Sequence, residues 1–133
     1  MAYDKPLPKI TPLTQPFWDA ARAHRLVVQT CRDCGDAHFP ASPVCPACLS
    51  DAQEWKDAAG TGTLESWVAF HRAYWDGFRD SLPYDVCLVR LTEGPLLVSN
   101  LIGETGRAKL GAPVHVVFDS VTDTITLPKF TLA

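Results

Sequence analysis

Cys31-Arg32-Asp33-Cys34-Gly35, followed after ten residues beyond Cys34 by Cys45-Pro46-Ala47-Cys48, is the stretch on which the reading of this 133-residue chain turns. In each Cys-x-x-Cys step the two thiols reach the same side of a tight knuckle, so two knuckles close a tetrahedron of four soft ligands. Zinc suits such a shell, because it has no electronic geometry to frustrate and binds thiolate strongly. Iron in a rubredoxin-like site is the other metal this donor set fits. Gly35 falls just after the second thiol, where a knuckle calls for positive φ. Asp33 and Asp36 stand close by, but four cysteines already fill the shell, and His38 would have to displace one of them. A closed four-thiolate shell leaves no position for water or substrate, so the ion is expected to hold the fold rather than to catalyse.

The fifth cysteine stands apart. Cys87 lies in Asp85-Val86-Cys87-Leu88-Val89, a strand interior, and reads as a core thiol; a nucleophile needs a polarised, accessible setting. Two pairs plus one lone thiol do not make a disulfide framework. The opening Met-Ala-Tyr-Asp-Lys-Pro lacks the basic-then-apolar layout of a secretory signal, and no apolar run approaches the roughly 18–20 residues that span a bilayer. A cytoplasmic location without membrane contact is the expectation. With 47% hydrophobic residues and a net charge of −3, the chain can bury a core and presents no overall basic field.

Outward from the cysteines, three segments are expected: 1–25 as N-terminal arm and helix, 26–58 as the metal ribbon, and 59–133 as a barrel. Pro6, Pro8 and Pro12 make residues 1–13 an extended arm. A helix of about eleven residues is expected to start near Thr14, with Pro16 tolerated in the first turn. So short a helix is marginal alone, so its aromatic residues, Phe17 and Trp18, must dock on the chain's own barrel or on a partner. Leu26-Val27-Val28-Gln29-Thr30 leads as a strand into the first knuckle, and Gly60-Thr61-Gly62 reads as a turn between modules. Five strand-like runs follow, at 64–71, 84–91, 96–102, 114–121 and 125–130, with longer loops at 72–83 and 103–112. Around Leu88 both faces of the strand are apolar, the pattern of a strand covered on both sides. Five short strands with a long first loop suggest an OB-like barrel, though an SH3-like barrel has the same strand count.

Beyond the metal site the chain is poor in chemistry. His71 ends one strand and His115 alternates with apolar neighbours in another, both as expected of structural or solvent-facing histidines. No phosphate loop, nucleophile elbow or HExxH is present in the sequence. The richest stretch is Phe70-His71-Arg72-Ala73-Tyr74-Trp75-Asp76-Gly77-Phe78-Arg79, with four aromatic residues and two arginines in one loop. Aromatic faces stack nucleobases and guanidinium groups grip phosphate, so a nucleotide-bearing small molecule would fit here. Packing of the same aromatics on the barrel or on another protein is the competing reading.

A zinc ribbon beside an OB-like barrel also occurs in proteins that bind single-stranded nucleic acid, and this is the alternative function. Charge argues against it. Residues 26–58 carry two basic side chains (Arg32, Lys56) against five acidic ones, and residues 59–133 carry six against eight. Neither segment offers the positive groove that phosphate-driven affinity requires.

From Phe17 onward the chain resembles the family built from a rubredoxin-like zinc ribbon and an acyl-CoA-associated OB-fold. The resemblance runs through Phe17-Trp18, Arg25-Leu26-Val27-Val28-Gln29, both Cys-x-x-Cys knuckles, Phe39-Pro40, Gly60-Thr61-Gly62-Thr63-Leu64 and Phe70-His71-Arg72. It continues in Pro83-Tyr84, Glu93-Gly94-Pro95, Ser99-Asn100-Leu101 and Gly111-Ala112-Pro113-Val114. It implies a mainly β fold of N-terminal helix, ribbon and five-stranded OB barrel. It further implies a non-catalytic accessory subunit of a thiolase-like or hydratase-like enzyme acting on acyl-CoA thioesters, in a hetero-oligomer of two-plus-two form. The partner would supply the catalytic groups, while this subunit stabilises it and helps bind or pass on the CoA ester. On that reading Cys31, Cys34, Cys45 and Cys48 hold structural zinc. Arg72, Tyr74, Trp75, Phe78 and Arg79 are candidate CoA contacts, and Phe17 and Trp18 candidate partner contacts.

Overall fold

The computed structural model describes residues 3–133. Residues 3–13, the described part of the expected arm, carry neither helix nor strand. The backbone of Asp4 lies so close to Gly77 that a Cβ there would collide with it, so the arm rests on the loop between the first two barrel strands.

Helix α1 spans Gln15–Arg22, shorter than the eleven residues expected, and places Pro16 in its first turn. Thr14 precedes it without capping it through its side chain; its hydroxyl instead bonds the backbone N–H of Thr11 at 3.0 Å. The helix ends early because His24 adopts φ +59° and its N–H turns back to the Ala21 carbonyl. Phe17, Ala20 and Ala21 form the buried stripe.

The ribbon is a three-stranded antiparallel sheet of β1 (Val27–Cys31), β2 (Ala37–His38) and β3 (Gln53–Asp57), in the order β2-β1-β3. Every residue of β1 is buried, as befits the central strand. The barrel comprises β4 (Thr61–Phe70), β5 (Tyr84–Leu91), β6 (Leu96–Leu101), β7 (Pro113–Ser120) and β8 (Thr126–Leu132), closed in the order β4-β5-β6-β8-β7. This is the five-stranded OB arrangement that the sequence suggested. Only the β6–β8 junction is parallel, and it rests on the single register pair Leu101↔Phe130.

One local expectation fails. Thr61 and Gly62, read as part of a turn, are instead the first residues of β4. Gly62 is there because of space: a Cβ would stand 2.5 Å from the Arg90 carbonyl of the paired strand. The bend itself sits one step earlier, at Gly60, with φ +81°.

Helix, ribbon and barrel share one hydrophobic cluster. Phe17, Val27 and Val28 join Leu64, Val89 and Phe130 in it, and Phe17 also packs its ring 5.3 Å from Phe39 and 6.4 Å from Trp55. The outside of the barrel is different. Register places Val68 beside Val86 and Leu88 beside Val98, and these four share the face opposite to buried Cys87 and Val89. The sequence pattern around Leu88 called for a cover on that face, yet Val68 is 52% and Val98 68% exposed.

Phe130 is fully buried at the barrel seam. Phe130→Ala is expected to cost about 3–5 kcal/mol in urea unfolding, whereas Val98→Ala should change stability by no more than about 0.5 kcal/mol.

Candidate metal centre and the cavity beside the barrel

The two knuckles are near copies of each other. β1 delivers Cys31, whose carbonyl accepts the Gly35 N–H at 3.0 Å; the Cys45 carbonyl accepts the Leu49 N–H at 2.8 Å. The Cys34 N–H points at Cys31 Sγ (3.5 Å) and the Ala47 N–H at Cys45 Sγ (3.3 Å). Gly35 takes φ +80°, as the sequence required, and Leu49 takes φ +66° at the equivalent place. Leu49 escaped the sequence reading because only glycine signals this conformation openly; the knuckle repeat was the available clue.

The ligand atoms of Cys31, Cys34, Cys45 and Cys48 all lie within 4.8 Å of one another, and both Cys31–Cys48 and Cys34–Cys45 Sγ separations are 3.6 Å. A zinc tetrahedron with bonds of about 2.3 Å has edges of about 3.8 Å, so the four cysteines are positioned to bind a metal ion. The Cys34 N–H is the largest influence holding the Cys31 thiol down, to about 7. Cys34 is pulled down by the Asp36 amide, but its neighbour Cys45 and desolvation outweigh this and push it up to about 12. Like charges this close disfavour four thiolates together, and a bound cation would relieve that repulsion.

Behind the site stands a polar brace. Register pairs Gln29 with His38, and Gln29 Oε1 accepts both the His38 Nε2–H (2.8 Å) and the Ser42 backbone N–H (2.7 Å). Asp36 lies 3.3 Å from His38 Nδ1. Asp36, His38 and Cys45 also cluster closely enough to hold an ion, but Cys45 is shared with the all-sulfur shell. The Ser50 hydroxyl donates to Asp33, tying one knuckle to the other.

The aromatic loop is divided by the structure. Its centre is a 3₁₀ turn, Asp76–Ser81, with no buried residue. Phe78 stacks on Tyr84 at 4.8 Å and lines an open cavity of about 490 Å³ between arm, β5, β6 and β8. Lys5 sits over the Phe78 ring, and Lys129, paired with Asp119 at 2.7 Å, lines another wall. Arg72, Tyr74, Trp75 and Arg79 are outside that lining. The Arg72 guanidinium covers the Tyr74 ring at 5.2 Å, Trp75 is 53% exposed, and Arg79 is tied to Asp76 at 3.0 Å. Of the two aromatics on α1, Phe17 is buried in the chain's own core and Trp18 is half-buried, its ring edge-on to Phe17 at 5.0 Å. Tyr3, Lys5 and Lys129 carry no sequence signal for this cavity, because only the closed barrel brings arm, β6 and β8 together. Cys87 is buried, and desolvation raises its thiol to about 11.

Comparison with known proteins bears on this architecture. A family profile described as the ChsH2 rubredoxin-like zinc ribbon domain matches residues 18–54, and one described as the ChsH2 C-terminal OB-fold domain matches residues 55–119. A DUF35 domain-containing scaffold protein from Pyrococcus furiosus is 33% identical over 103 residues, covering 76% of this chain and 74% of its own. The chain belongs to the DUF35 (ChsH2) family. A family member from Thermomonospora curvata, named a probable enoyl-CoA hydratase alpha subunit, is 39% identical over 116 residues. The match covers 86% of this chain but 36% of that relative, so the chain spans about a third of the subunit's length. Among solved structures, the Ltp2-ChsH2(DUF35) aldolase contains a chain with TM-score 0.84 and 35% identity, covering 95% of this chain and 98% of that one. No helix among the described residues is long and apolar enough to cross a membrane.

Two measurements check the metal centre. Zinc uptake by the reduced apoprotein should approach one ion per chain by atomic absorption, with affinity falling as pH is lowered, since protons compete for the thiolates. Leu49→Gly should raise the stability of the metal-loaded ribbon by about 1 kcal/mol in denaturant titration, because it removes a left-handed non-glycine residue.

Proposed function

We propose that this protein is a non-catalytic, zinc-holding accessory subunit of a thiolase-like enzyme that forms or cleaves a carbon–carbon bond in an acyl-CoA. The observation that carries this reading is the near-complete, two-way coverage of the ChsH2 chain in an aldolase assembly. The name of the Thermomonospora relative, an alpha subunit of an enoyl-CoA hydratase, points to the same class of thioester chemistry. In this reading residues 26–58 act as a rigid ribbon in which Cys31, Cys34, Cys45 and Cys48 hold zinc. When bound, zinc supplies cross-linking, since four sulfur ligands leave no open position. Residues 59–133 carry the contact with the CoA ester.

Two adjoining surfaces suit the two ends of that ligand. The Phe78 and Tyr84 rings, with the Lys5 ammonium over Phe78, give the cavity a mixed apolar and cationic wall suited to an acyl chain and the polar amides of a pantetheine arm. Exposed Trp75 and the Arg72–Tyr74 pair offer a stacking face and a guanidinium to adenine and phosphate. The ester would thus lie along the 72–83 loop on its way to the partner's catalytic groups. Trp18 remains a candidate partner contact on the helix.

Affinity capture of the tagged protein from its own cells should recover a thiolase-, aldolase- or hydratase-like protein in near-equal amount, in a two-plus-two assembly. In that complex Trp75→Ala should weaken CoA binding about tenfold, the worth of one stacked base. Recovery of the protein alone, or with single-stranded nucleic acid released by salt, would sink the reading.

A further inference from the structure

Strand β4 has two halves with different fates. Its first residues, Thr61–Thr63, pair with β7, and the Leu64 backbone bonds Ala112 and Gly111. Beyond the bulge at Leu64/Ser66, β5 continues alongside as far as Phe70↔Tyr84, but β7 has gone. Among the described residues, no backbone hydrogen bond reaches residues 65–70 on that side. Residues 66–69 are all exposed. The barrel therefore carries a free strand edge beside the uncovered apolar face formed by Val68, Val86, Leu88 and Val98.

Free edges are normally blunted by charge, by proline or by a bulge inside the exposed stretch. Residues 66–70, Ser-Trp-Val-Ala-Phe, contain no charge and no proline, and the bulge lies before them. Such an edge is a template for another strand, and its flanks say which. Glu65 precedes the neutral stretch, and His71 and Arg72 follow it. An antiparallel twofold through Val68 sets Ser66 opposite Phe70 and Trp67 opposite Ala69. It also brings Glu65 of one protomer beside the basic His71–Arg72 end of the other, twice over. A parallel pairing would set Glu65 against Glu65 and Arg72 against Arg72, which is unfavourable. Glu65 meets Arg90 through one carboxylate oxygen at 3.3 Å, and Arg72 lies over the Tyr74 ring with no carboxylate partner among the described ion pairs.

We infer that the occupant of this edge is a second copy of the same chain, joined β4 to β4 about a twofold axis, so that two barrels share a continuous sheet. The Val68 and Val98 side chains of both protomers then lie along one joined apolar face. This goes beyond the accessory-subunit reading and does not rest on it, since it concerns the isolated chain.

Sedimentation velocity of the purified, zinc-loaded protein over a concentration series tests it. The expected result is a monomer–dimer equilibrium that Val68→Lys shifts to monomer, with zinc content and thermal midpoint retained because the side chain is on the surface. Glu65→Lys should weaken association about tenfold, and adding Arg72→Glu should restore most of it, since the acid–base pair is then re-formed in reverse. Hydrogen exchange at residues 66–70 should slow as protein concentration rises. A monomer at every concentration overturns the inference, as does a dimer indifferent to both Val68→Lys and the charge reversal. If the chain stays monomeric alone while Val68→Lys abolishes capture of a catalytic partner, the edge belongs to that partner and the twofold is wrong.

Discussion

Mutual repulsion among four sulfur atoms is the constraint on which the rest of the ribbon depends. Held with pairs 3.6 Å apart, four thiolates are disfavoured without a divalent ion among them. The peptide amides of Cys34 and Ala47, aimed at sulfur, offset part of that repulsion, and the ion must supply the remainder. Everything that fixes where the sulfurs lie therefore matters: the end of β1 at Cys31, the left-handed residues that close both knuckles, and the Gln29–His38 brace behind them. A ribbon this small has little interior of its own, and its strand β1 lends Val27 and Val28 to the common core.

That shared core makes α1 more than a lead-in. Phe17 touches Phe39 and Trp55 from the ribbon side, and the cluster it belongs to continues through Leu64 to Phe130 in the barrel. The helix is thus a wedge that adds Phe17 and Ala20 to the contact Val27 and Val28 already make with the barrel core. Burial of Phe17 against Phe39 and Trp55 therefore helps fix how the ribbon sits on the barrel.

Much of this was legible in the sequence because the signals were local. Cys-x-x-Cys spacing declares a knuckle, and five apolar runs separated by polar loops declare the strands of a barrel. The four cysteines came together as their spacing required. Gly62 misled because a glycine needed for close approach of two strands looks like one needed for a turn. Phe17 and Trp18, adjacent in sequence, stay in edge-on contact at 5.0 Å, but Phe17 is the more deeply buried of the two because neighbouring helix positions point in different directions. The aromatic loop read as one site, yet only Phe78 turned into the cavity, because the 3₁₀ turn redirects the chain between Trp75 and Phe78. The cavity itself was invisible, since Tyr3, Lys5 and Lys129 meet only once the barrel has closed.

The parallel junction of β6 and β8 has a mechanical meaning. Four of the five joints around the barrel are antiparallel ladders, whereas this one is held by the Leu101↔Phe130 pair, the Ile102 N–H on the Phe130 carbonyl and the Ser99 hydroxyl on Pro128. Leu101, Ile102, Leu127 and Lys129 along it are also walls of the cavity. The barrel is therefore riveted at this joint and laced at the others: buried Leu101 and Phe130 hold by packing what backbone bonds hold elsewhere. A cavity wall built on such a rivet keeps its shape only as long as the core behind it stays packed.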